Sequence, residues 1–268
     1  MRTTIPLPRT DSLDHFYDEY FVKARPVVAV GAARRMGAFE KWTDQYLLET
    51  LGDDRAKVRL PDGRFALMPV ADLLEYLAAP ESYHSSLGPV YLTDYLISPA
   101  LSDQRRAILA LDAVCPLPRG GRFAEWMALY AGPPNTHSSM HQDVFSTHTW
   151  LAELRGEKTW RLCAPDGLDP ETGNGVDAFG DAALGCDVYE TILYPGDVIY
   201  LPPDWWHQVR NESTSTLSIS GNFCTFDVAR RALQEVEASN SQRKKDIWVP
   251  VWSAIFAKEA EDVEACAV

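Results

Sequence analysis

A run of short candidate strands between Pro89 and Phe226 constrains the fold of this chain more than any other feature. Each strand is rich in β-branched or aromatic residues and is bounded by turn-forming Gly, Pro, Asp or Asn. The candidate strands are Trp126–Tyr130, Thr147–Leu154, Thr159–Cys163, Val188–Tyr194, Asp197–Leu201, His207–Asn211 and Leu217–Phe223. Many short strands joined by brief turns are typical of a β-barrel or a β-sandwich. The sequence therefore predicts a mainly β core.

The chain before this run mixes helical and strand signals. Helices are predicted at Trp42–Leu51 and Val70–Leu77, and the segment VVAV at 27–30 reads as a short buried strand. Because all-β barrels of this size often remain one domain, we expect a single domain over residues 1–268. Its expected parts are an α/β cap at 12–88, a β-barrel core at 89–226 and a helical C-terminal extension at 227–268.

The C-terminal extension carries a bulky apolar face. Trp248, Trp252, Ile255 and Phe256 lie at helical spacing. So large an apolar face has to be covered, either by the barrel of the same chain or by a second subunit. A homodimer through the C-terminal helices is therefore one of two predictions.

Charge and composition argue against two classes of partner. A formal net charge of −13 does not favour nucleic acid, whose phosphates are bound by clustered Lys and Arg. The sequence has no long apolar stretch, so we expect no membrane partner. Five scattered cysteines without a CxxC pair suit free thiols in a reducing compartment, which predicts a cytoplasmic protein.

A metal site is predicted from three residues. His141 and Asp143 are two positions apart, so in an extended segment both side chains project to the same side. An isolated His-x-Asp pair is usually a surface hydrogen bond. However, His207 follows a strand that ends at a double Pro turn, and in an antiparallel barrel that strand can return beside the first. Two imidazoles and one carboxylate on one face then leave open positions on the metal.

Strand alternation adds a candidate anion site. Lys158 shares a strand face with Trp160 and Leu162, and a lysine on an apolar face is costly unless an anion meets it or it reaches water. A carboxylate of a cosubstrate would supply that charge. Ser218, Ser220 and Asn222 share one face of a later strand and line either a cavity or the solvent.

The segment 166–187 interrupts the strands. It carries five Asp and one Glu but no Lys or Arg, and its length suits a lid or a rim loop. Its charge favours a cationic substrate, whereas the simpler interpretation is a solvated loop. Next to the third ligand, Trp205 and Trp206 are expected to wall the site and exclude water.

Taken together, these motifs resemble the JmjC-type, cupin-like hydroxylases, and are most similar to their asparaginyl and lysyl hydroxylase branches. The matching segments are AGPPNTHSSMHQD, WLAELRGEKTWRLCAP, YPGDVIYLPPDWWHQVRN and STLSISGNF, with ARPVVAVGAARRMGAFEKWTDQYL resembling the family's cap. The resemblance covers about residues 12–226. It implies a double-stranded β-helix of the cupin or jelly-roll type that uses Fe(II), 2-oxoglutarate and O2.

The resemblance also implies roles for single residues. His141, Asp143 and His207 match the iron ligands, which are also the catalytic centre. The residues that match the 2-oxoglutarate-binding positions are Lys158, Ser138, Tyr91 and Asn222. The chain departs from the family pattern at Leu151, which is Asn in some lysyl hydroxylases, and the two serines of HSSM leave open whether Ser138 or Ser139 takes the hydroxyl position.

The expected activity is hydroxylation of an unactivated C–H bond, in a protein side chain or in a small molecule derived from an amino acid. The sequence does not choose between these substrates. Two alternatives are a non-catalytic cupin that binds a metal or a sugar, and a zinc or manganese enzyme such as an isomerase on the same barrel. Histone demethylation is not favoured, because the chain lacks a basic surface and a chromatin-reading module.

Overall fold

The computed structural model describes residues 4–79, 88–96, 115–118, 124–180, 184–246, 248–253 and 256. Its strands are β1 (Ile5–Pro6), β2 (Arg9–Thr10), β3 (Val27–Ala29), β4 (Arg55–Arg59), β5 (Phe65–Pro69), β6 (Tyr91–Leu96), β7 (Ala124–Gly132), β8 (His148–Arg155), β9 (Lys158–Cys163), β10 (Tyr189–Leu193), β11 (Val198–Leu201), β12 (Trp206–Asn211) and β13 (Thr216–Cys224). Its longer helices are α1 (Gly37–Lys41), α2 (Asp44–Leu51), α3 (Val70–Ala78) and α4 (Phe226–Ala238). All seven strands predicted for the core are present, within two residues at each end.

The strands form two facing sheets. The large sheet has the order β2-β3-β11-β8-β13-β7-β6-β4-β5, and the small sheet has the order β1-β10-β9-β12. The segment 137–141 extends the small sheet, because two isolated antiparallel bridges join it to β12. This mostly antiparallel arrangement confirms the predicted jelly-roll fold.

Strand alternation divides the apolar residues between the inside and the outside of the barrel. From β8, Leu151 packs inward with Trp160 and Leu162 of β9, and the small apolar cluster they share lies between the sheets. Trp150 and Ala152, also on β8, point the other way into the largest cluster, which contains buried residues of α2 and α3. The cap therefore covers the outer face of the large sheet.

The cap contributes more strands than the sequence indicated. β4 and β5 form an antiparallel hairpin that extends the large sheet through β6, and β3 pairs with β11 at its opposite side. β3 matches the short buried strand predicted at 27–30, whereas the hairpin was not predicted, because β4 reads RAKVR and its charged residues hide a short buried alternation. As a result, both flanks of the large sheet come from the cap.

The C-terminal apolar face is covered by the same chain. Trp252 is fully buried and packs edge-on against Trp126 of β7, while Trp248 packs edge-on against Phe145. Of the predicted apolar face, Ile255 lies outside the described residues. Trp248 and Trp252 therefore pack on the same chain, as the first alternative predicted. Within the described part of the chain, no helix has the length and apolar character needed to cross a membrane.

Candidate metal centre

The three predicted ligands meet at one end of the barrel interior. His141 and His207 are joined by an antiparallel bridge, and their ring centroids lie 4.2 Å apart. The Nε2 atom of His207 is 4.0 Å from Oδ1 of Asp143. One ligand atom from each of the three residues lies within 4.8 Å of the others, so a single ion can contact all three.

Backbone carbonyl groups orient both imidazoles. Nδ1 of His141 is 2.7 Å from the carbonyl oxygen of Ser139, and Nδ1 of His207 is 3.1 Å from that of Trp205. A carbonyl only accepts, so each Nδ1 carries the proton and each Nε2 keeps its lone pair for a metal. Burial, followed by the nearby His141, lowers the pKa of His207 to about 4, so this imidazole is neutral at pH 7.

A chain of polar side chains holds the carboxylate ligand. The hydroxyl of Thr149 donates to Oδ2 of Asp143, and Nδ2 of Asn222 donates to the Thr149 hydroxyl at 2.8 Å. The sequence assigned Asn222 to the cosubstrate, whereas its amide lies behind the metal ligand. Such partners of a ligating carboxylate fix its direction. Asn222 therefore contacts the ligand set through Thr149.

This donor set fits a ferrous ion. Two imidazole nitrogens and one carboxylate oxygen on one face are the arrangement used by non-haem iron(II) oxygenases, and the remaining octahedral positions are free for other ligands. A tetrahedral zinc site with one open position uses similar donors. The ligands alone consequently do not exclude a zinc enzyme.

The second predicted site lies deeper in the barrel. Lys158 begins β9 opposite Asn211, whereas His207 pairs with Leu162 at the other end of the same strand pair. The Lys158 side chain is fully buried, and its Nζ atom has no hydrogen-bond partner among the described residues. A buried ammonium group without a partner is costly, so the site suits a bound anion. Between the two ends, Nε1 of Trp160 is a further buried donor with no partner in the described chain.

The carboxyl group of Glu153 lies beside this lysine. Its Oε2 atom is 4.0 Å from Lys158 Nζ and accepts a hydrogen bond of 2.9 Å from Ser218, while Oε1 has no partner within the described residues. Burial raises the pKa of Glu153 to about 8, although Lys158 and Ser218 both lower it. Burial also disfavours the charged form of Lys158 and so lowers its pKa, whereas the negative charge of Glu153 raises it. The two groups therefore form a poorly satisfied ionisable pair.

The inner end of the barrel interior, where Lys158 and Glu153 lie, also contains Tyr91 and a close backbone approach at Gly132. Lys158 Nζ lies 5.8 Å from the centroid of the Tyr91 ring, which is buried. A Cβ atom on Gly132 would lie within 2.8 Å of Tyr91, Thr136 and Asn211, so only glycine leaves room for these side chains. Asn211 donates to Thr136 at 2.8 Å, and its Oδ1 atom is unpaired among the described residues. The inner end thus keeps several polar atoms without protein partners.

The two serines before the first ligand are both engaged. Ser138 accepts a hydrogen bond of 3.0 Å from the backbone of Val209 and donates its own N–H to the Val209 carbonyl. Ser139 accepts a hydrogen bond of 2.7 Å from Arg59. Ser138 therefore faces the strand that carries His207, and Ser139 faces the cap.

The prediction for Trp206 was wrong. Because His207 faces inward, its neighbour Trp206 faces outward, where it packs with Met140 and Cys163 and donates to the carbonyl of Pro165 at 3.2 Å. Its indole stabilises the outer surface of the small sheet instead of walling the metal. Trp205 is the indole next to the interior cluster.

The acidic segment packs on that same outer surface. Gln208 of β12 accepts from the backbone of Ala178 at 2.6 Å and donates to Asp177 at 3.1 Å. The guanidinium groups of Arg161 and Arg210 both lie over the ring of Phe179, with their Cζ atoms 4.8 and 4.4 Å from its centroid. Residues 166–180 are accordingly a cover for the outside of the small sheet, which differs from the lid or rim loop suggested by their length.

Two functional candidates escaped the sequence reasoning. Glu153 and Thr149 share the inward face of β8 with Leu151, and the period-two alternation of that strand was the available signal. The sequence shows Glu153 as a charged residue among apolar neighbours, but it does not show that Lys158 of β9 lies beside it. His148, on the opposite face, stacks on Phe21 and Phe223 away from the ligands.

Family comparisons agree with this geometry. A family model described as "Cupin-like domain" matches residues 13–170, more than half of the chain. This chain belongs to the cupin-like domain family. A second model, described as "JmjC domain", matches residues 121–229, a range that contains all three candidate ligands and Lys158. The resemblance stated from the motifs is thereby confirmed.

Several characterised proteins are similar to this member of the cupin-like family. "Arginine-specific demethylase JMJ22" of Arabidopsis thaliana is 25% identical, over 90% of this chain and 50% of that protein. "Jumonji C domain-containing protein 5" of Drosophila melanogaster is 26% identical, over 79% and 58%. "2-oxoglutarate and iron-dependent oxygenase JMJD4" of Danio rerio is 32% identical, over 46% and 33%. The matched part of the chain spans between about a third and three fifths of the length of these relatives.

Proposed function

We propose that this protein is an Fe(II)- and 2-oxoglutarate-dependent oxygenase that hydroxylates an unactivated C–H bond. The observation that carries the proposal is the buried ammonium group of Lys158, which has no hydrogen-bond partner among the described residues and shares one barrel interior with the ligand set. A metal site alone explains the three ligands, but it does not explain a buried cation at the other end. A small dianion that binds both the metal and the lysine explains both features.

In this proposal each residue has a defined task. His141, Asp143 and His207 hold Fe(II), and Thr149 with Asn222 fixes the direction of the carboxylate ligand. The distal carboxylate of 2-oxoglutarate pairs with the ammonium of Lys158. Tyr91 supports this inner end, and Ser138 orients the segment that carries the first ligand.

The bound metal and cosubstrate supply the oxidising chemistry, in which O2 is reduced and 2-oxoglutarate is converted to succinate and carbon dioxide. The protein contributes position and a water-poor interior. Leu151, Trp160 and Val209 line the space between the sheets, so they exclude water from the path between the ligands and Lys158. The fixed Nδ1 protons keep both imidazoles in the ligating form.

The substrate is a protein side chain or an amino-acid-derived small molecule. The names of two relatives as a 2-oxoglutarate and iron-dependent oxygenase and as an arginine-specific demethylase support the same type of chemistry. Removal of an N-methyl group begins with hydroxylation of its C–H bond, so one centre can serve both outcomes. The net charge of −13 favours hydroxylation of a protein or metabolite over action on nucleic-acid-bound targets.

The cytoplasm is the proposed location. The five cysteines are scattered along the sequence and include no CxxC pair, which suits a reducing compartment.

Anaerobic reconstitution tests the proposed activity. The protein is loaded with Fe(II) and 2-oxoglutarate, air is admitted with or without a cell extract, and succinate is measured. We expect succinate from the wild-type protein and none from Asp143→Ala, with activity lost to a chelator and restored only by Fe(II). Restoration by zinc or manganese without succinate would instead identify the isomerase alternative, and metal binding without any turnover would identify a non-catalytic cupin.

A further inference from the structure

Glu153 creates a charge problem for any dianion that binds Lys158. With Glu153 ionised, the inner end would hold one cation and two carboxylates, all out of contact with water. Like charges in one buried site are not both ionised without a large cost. One of the carboxyl groups must therefore be protonated in the complex with the cosubstrate.

Among the described residues, Lys158 is the one cation whose charge acts on the carboxyl group of Glu153. Lys158 on β9 is the charged neighbour, Ser218 on β13 supplies one hydrogen bond, and Tyr91 on β6 has its pKa raised by burial and then by Glu153. On β4, Arg59 is bonded to Ser139. The other polar or charged groups on the surrounding strands are Asn211 on β12, Asp94 on β6, Tyr130 on β7, which donates to Asp94, and Asp197 before β11, whose carboxylate is paired with Arg9.

We propose, on the basis of the function proposed above, that Glu153 binds the cosubstrate as a neutral carboxylic acid. In this form it donates a hydrogen bond from its carboxyl group to the distal carboxylate, beside the ammonium of Lys158. Glu153 is then a cosubstrate-binding residue, and the pocket takes up the diacid together with one proton. No bond other than the O–H of Glu153 forms or breaks in this step, and the proton comes from solvent.

The electrostatics of the free protein agree with this assignment. The pKa of Glu153 lies near 8 because burial outweighs the effect of Lys158, so its carboxyl group is readily protonated near neutral pH. An added negative charge at the same site raises that pKa further. Above about pH 8 the free protein has one proton fewer than the complex, so affinity for 2-oxoglutarate falls about tenfold per pH unit.

Calorimetry measures the proton and infrared spectroscopy locates it. Binding of 2-oxoglutarate to the anaerobic Fe(II) protein is measured in two buffers of different ionisation enthalpy, at pH 6 and at pH 9. We expect uptake of about one proton at pH 9 and almost none at pH 6. At pH 9 the difference spectrum should gain the carbonyl band of a neutral carboxylic acid, which shifts in deuterated solvent and on labelling the protein's glutamate carboxyl groups with carbon-13.

Two variants assign this band. Glu153→Gln should lose it, because an amide donates a hydrogen bond without taking up a proton. Asp197→Asn should keep it, because that buried carboxylate lies just before β11, the strand next to β8, and has its own cation, Arg9. The carbon-13 shift in the wild-type protein identifies a glutamate even if Glu153→Gln does not fold.

Three results would overturn the inference. If 2-oxoglutarate binds at pH 9 without a label-sensitive acid band, the inference is wrong but the proposed function stands, because any proton taken up then lies on a group other than a glutamate carboxyl. An unchanged band in Glu153→Gln would also contradict the inference and leave the proposed function intact. Failure of 2-oxoglutarate to bind at any pH overturns the proposed function as well, so the two failures are distinguishable.

Discussion

The two ends of the barrel interior are built in different ways. The ligand end contains His141, Asp143 and His207, and the inner end contains Lys158 and Glu153. At the ligand end, each imidazole Nδ1 is bonded to a backbone carbonyl and Asp143 accepts from Thr149, so the polar atoms behind the ligands have protein partners. At the inner end, Lys158 Nζ and Glu153 Oε1 are buried and have no hydrogen-bond partners in the described chain. The first end is oriented before anything binds, whereas the second end is completed by what binds.

This difference separates the energetic roles of the two ends. Oriented ligands lower the cost of metal binding, because their tautomers and directions are already set. Unpaired buried groups cost free energy in the empty protein and return it when a partner of matching charge arrives. Changes at the ligand end should therefore act on metal content, and changes at the inner end on cosubstrate affinity.

The largest effect is expected from Asp143→Ala. Removal of the only carboxylate among the three candidate ligands leaves two imidazoles, so we expect loss of bound iron and of detectable turnover. Metal analysis after dialysis, together with succinate formation, measures this. The matched control is His137→Ala, an exposed imidazole on the same segment, which should keep its iron. Equal iron in both variants would contradict the assigned ligand set.

Lys158→Met should act on the cosubstrate and leave the metal in place. It replaces the ammonium group by an apolar chain of similar length, and the loss of one charge-assisted hydrogen bond raises the cosubstrate KM roughly 10- to 100-fold. Iron content should match that of the wild type. Arg161→Met, on the outer face of the same strand, is the control and should leave KM unchanged. An unchanged KM in Lys158→Met would remove the lysine from the site.

Thr149→Val tests the orientation of the carboxylate. It keeps the β-branched shape but removes the hydroxyl that donates to Asp143, so we expect about a 10-fold weaker affinity for Fe(II). Titration of the metal-free protein with Fe(II) under anaerobic conditions gives this value. Thr159→Val, on the outer face of β9, should bind Fe(II) like the wild type. An equal affinity in both variants would show that Asp143 is oriented by other contacts.

Ser218→Ala should have the smallest effect. The hydrogen bond from Ser218 lowers the pKa of Glu153, so its loss raises that pKa. A group with a higher pKa stays protonated to a higher pH. The pH above which cosubstrate affinity declines should therefore move upward, with only a few-fold change at pH 7, about 1 kcal/mol or less. A downward movement of that pH would contradict the role given to Glu153.

The sequence predicts the ligand end better than the inner end. His141 and Asp143 are two positions apart, and the Pro-rich turn before His207 indicates the third ligand, so local sequence patterns are enough to predict the ligand set. Lys158 could be placed by alternation along one strand. Its partner Glu153 lies across a turn on β8, and their approach depends on how β8 and β9 enter different sheets. Such contacts follow from tertiary structure, which no local pattern encodes.

The outer surface gives a similar lesson. The spacing of the C-terminal aromatic residues predicted an apolar face, but only the packed structure identifies Trp126 and Phe145 as part of its cover. The composition of residues 166–187 indicates an irregular acidic loop. The surface on which this loop packs is set by Gln208 and Trp206, whose side chains point outward because alternate residues of a strand face opposite sides. Composition predicts the kind of segment, and packing decides what it covers.

A crystal structure of the anaerobic protein with Fe(II) and 2-oxoglutarate would locate both ends of one bound ligand in a single measurement. We expect one ion bound by Nε2 of His141, Nε2 of His207 and a carboxylate oxygen of Asp143, with the distal carboxylate of the cosubstrate in contact with Lys158. An ion elsewhere, either imidazole turned away from Asp143, or a cosubstrate that leaves Lys158 unpaired would contradict it.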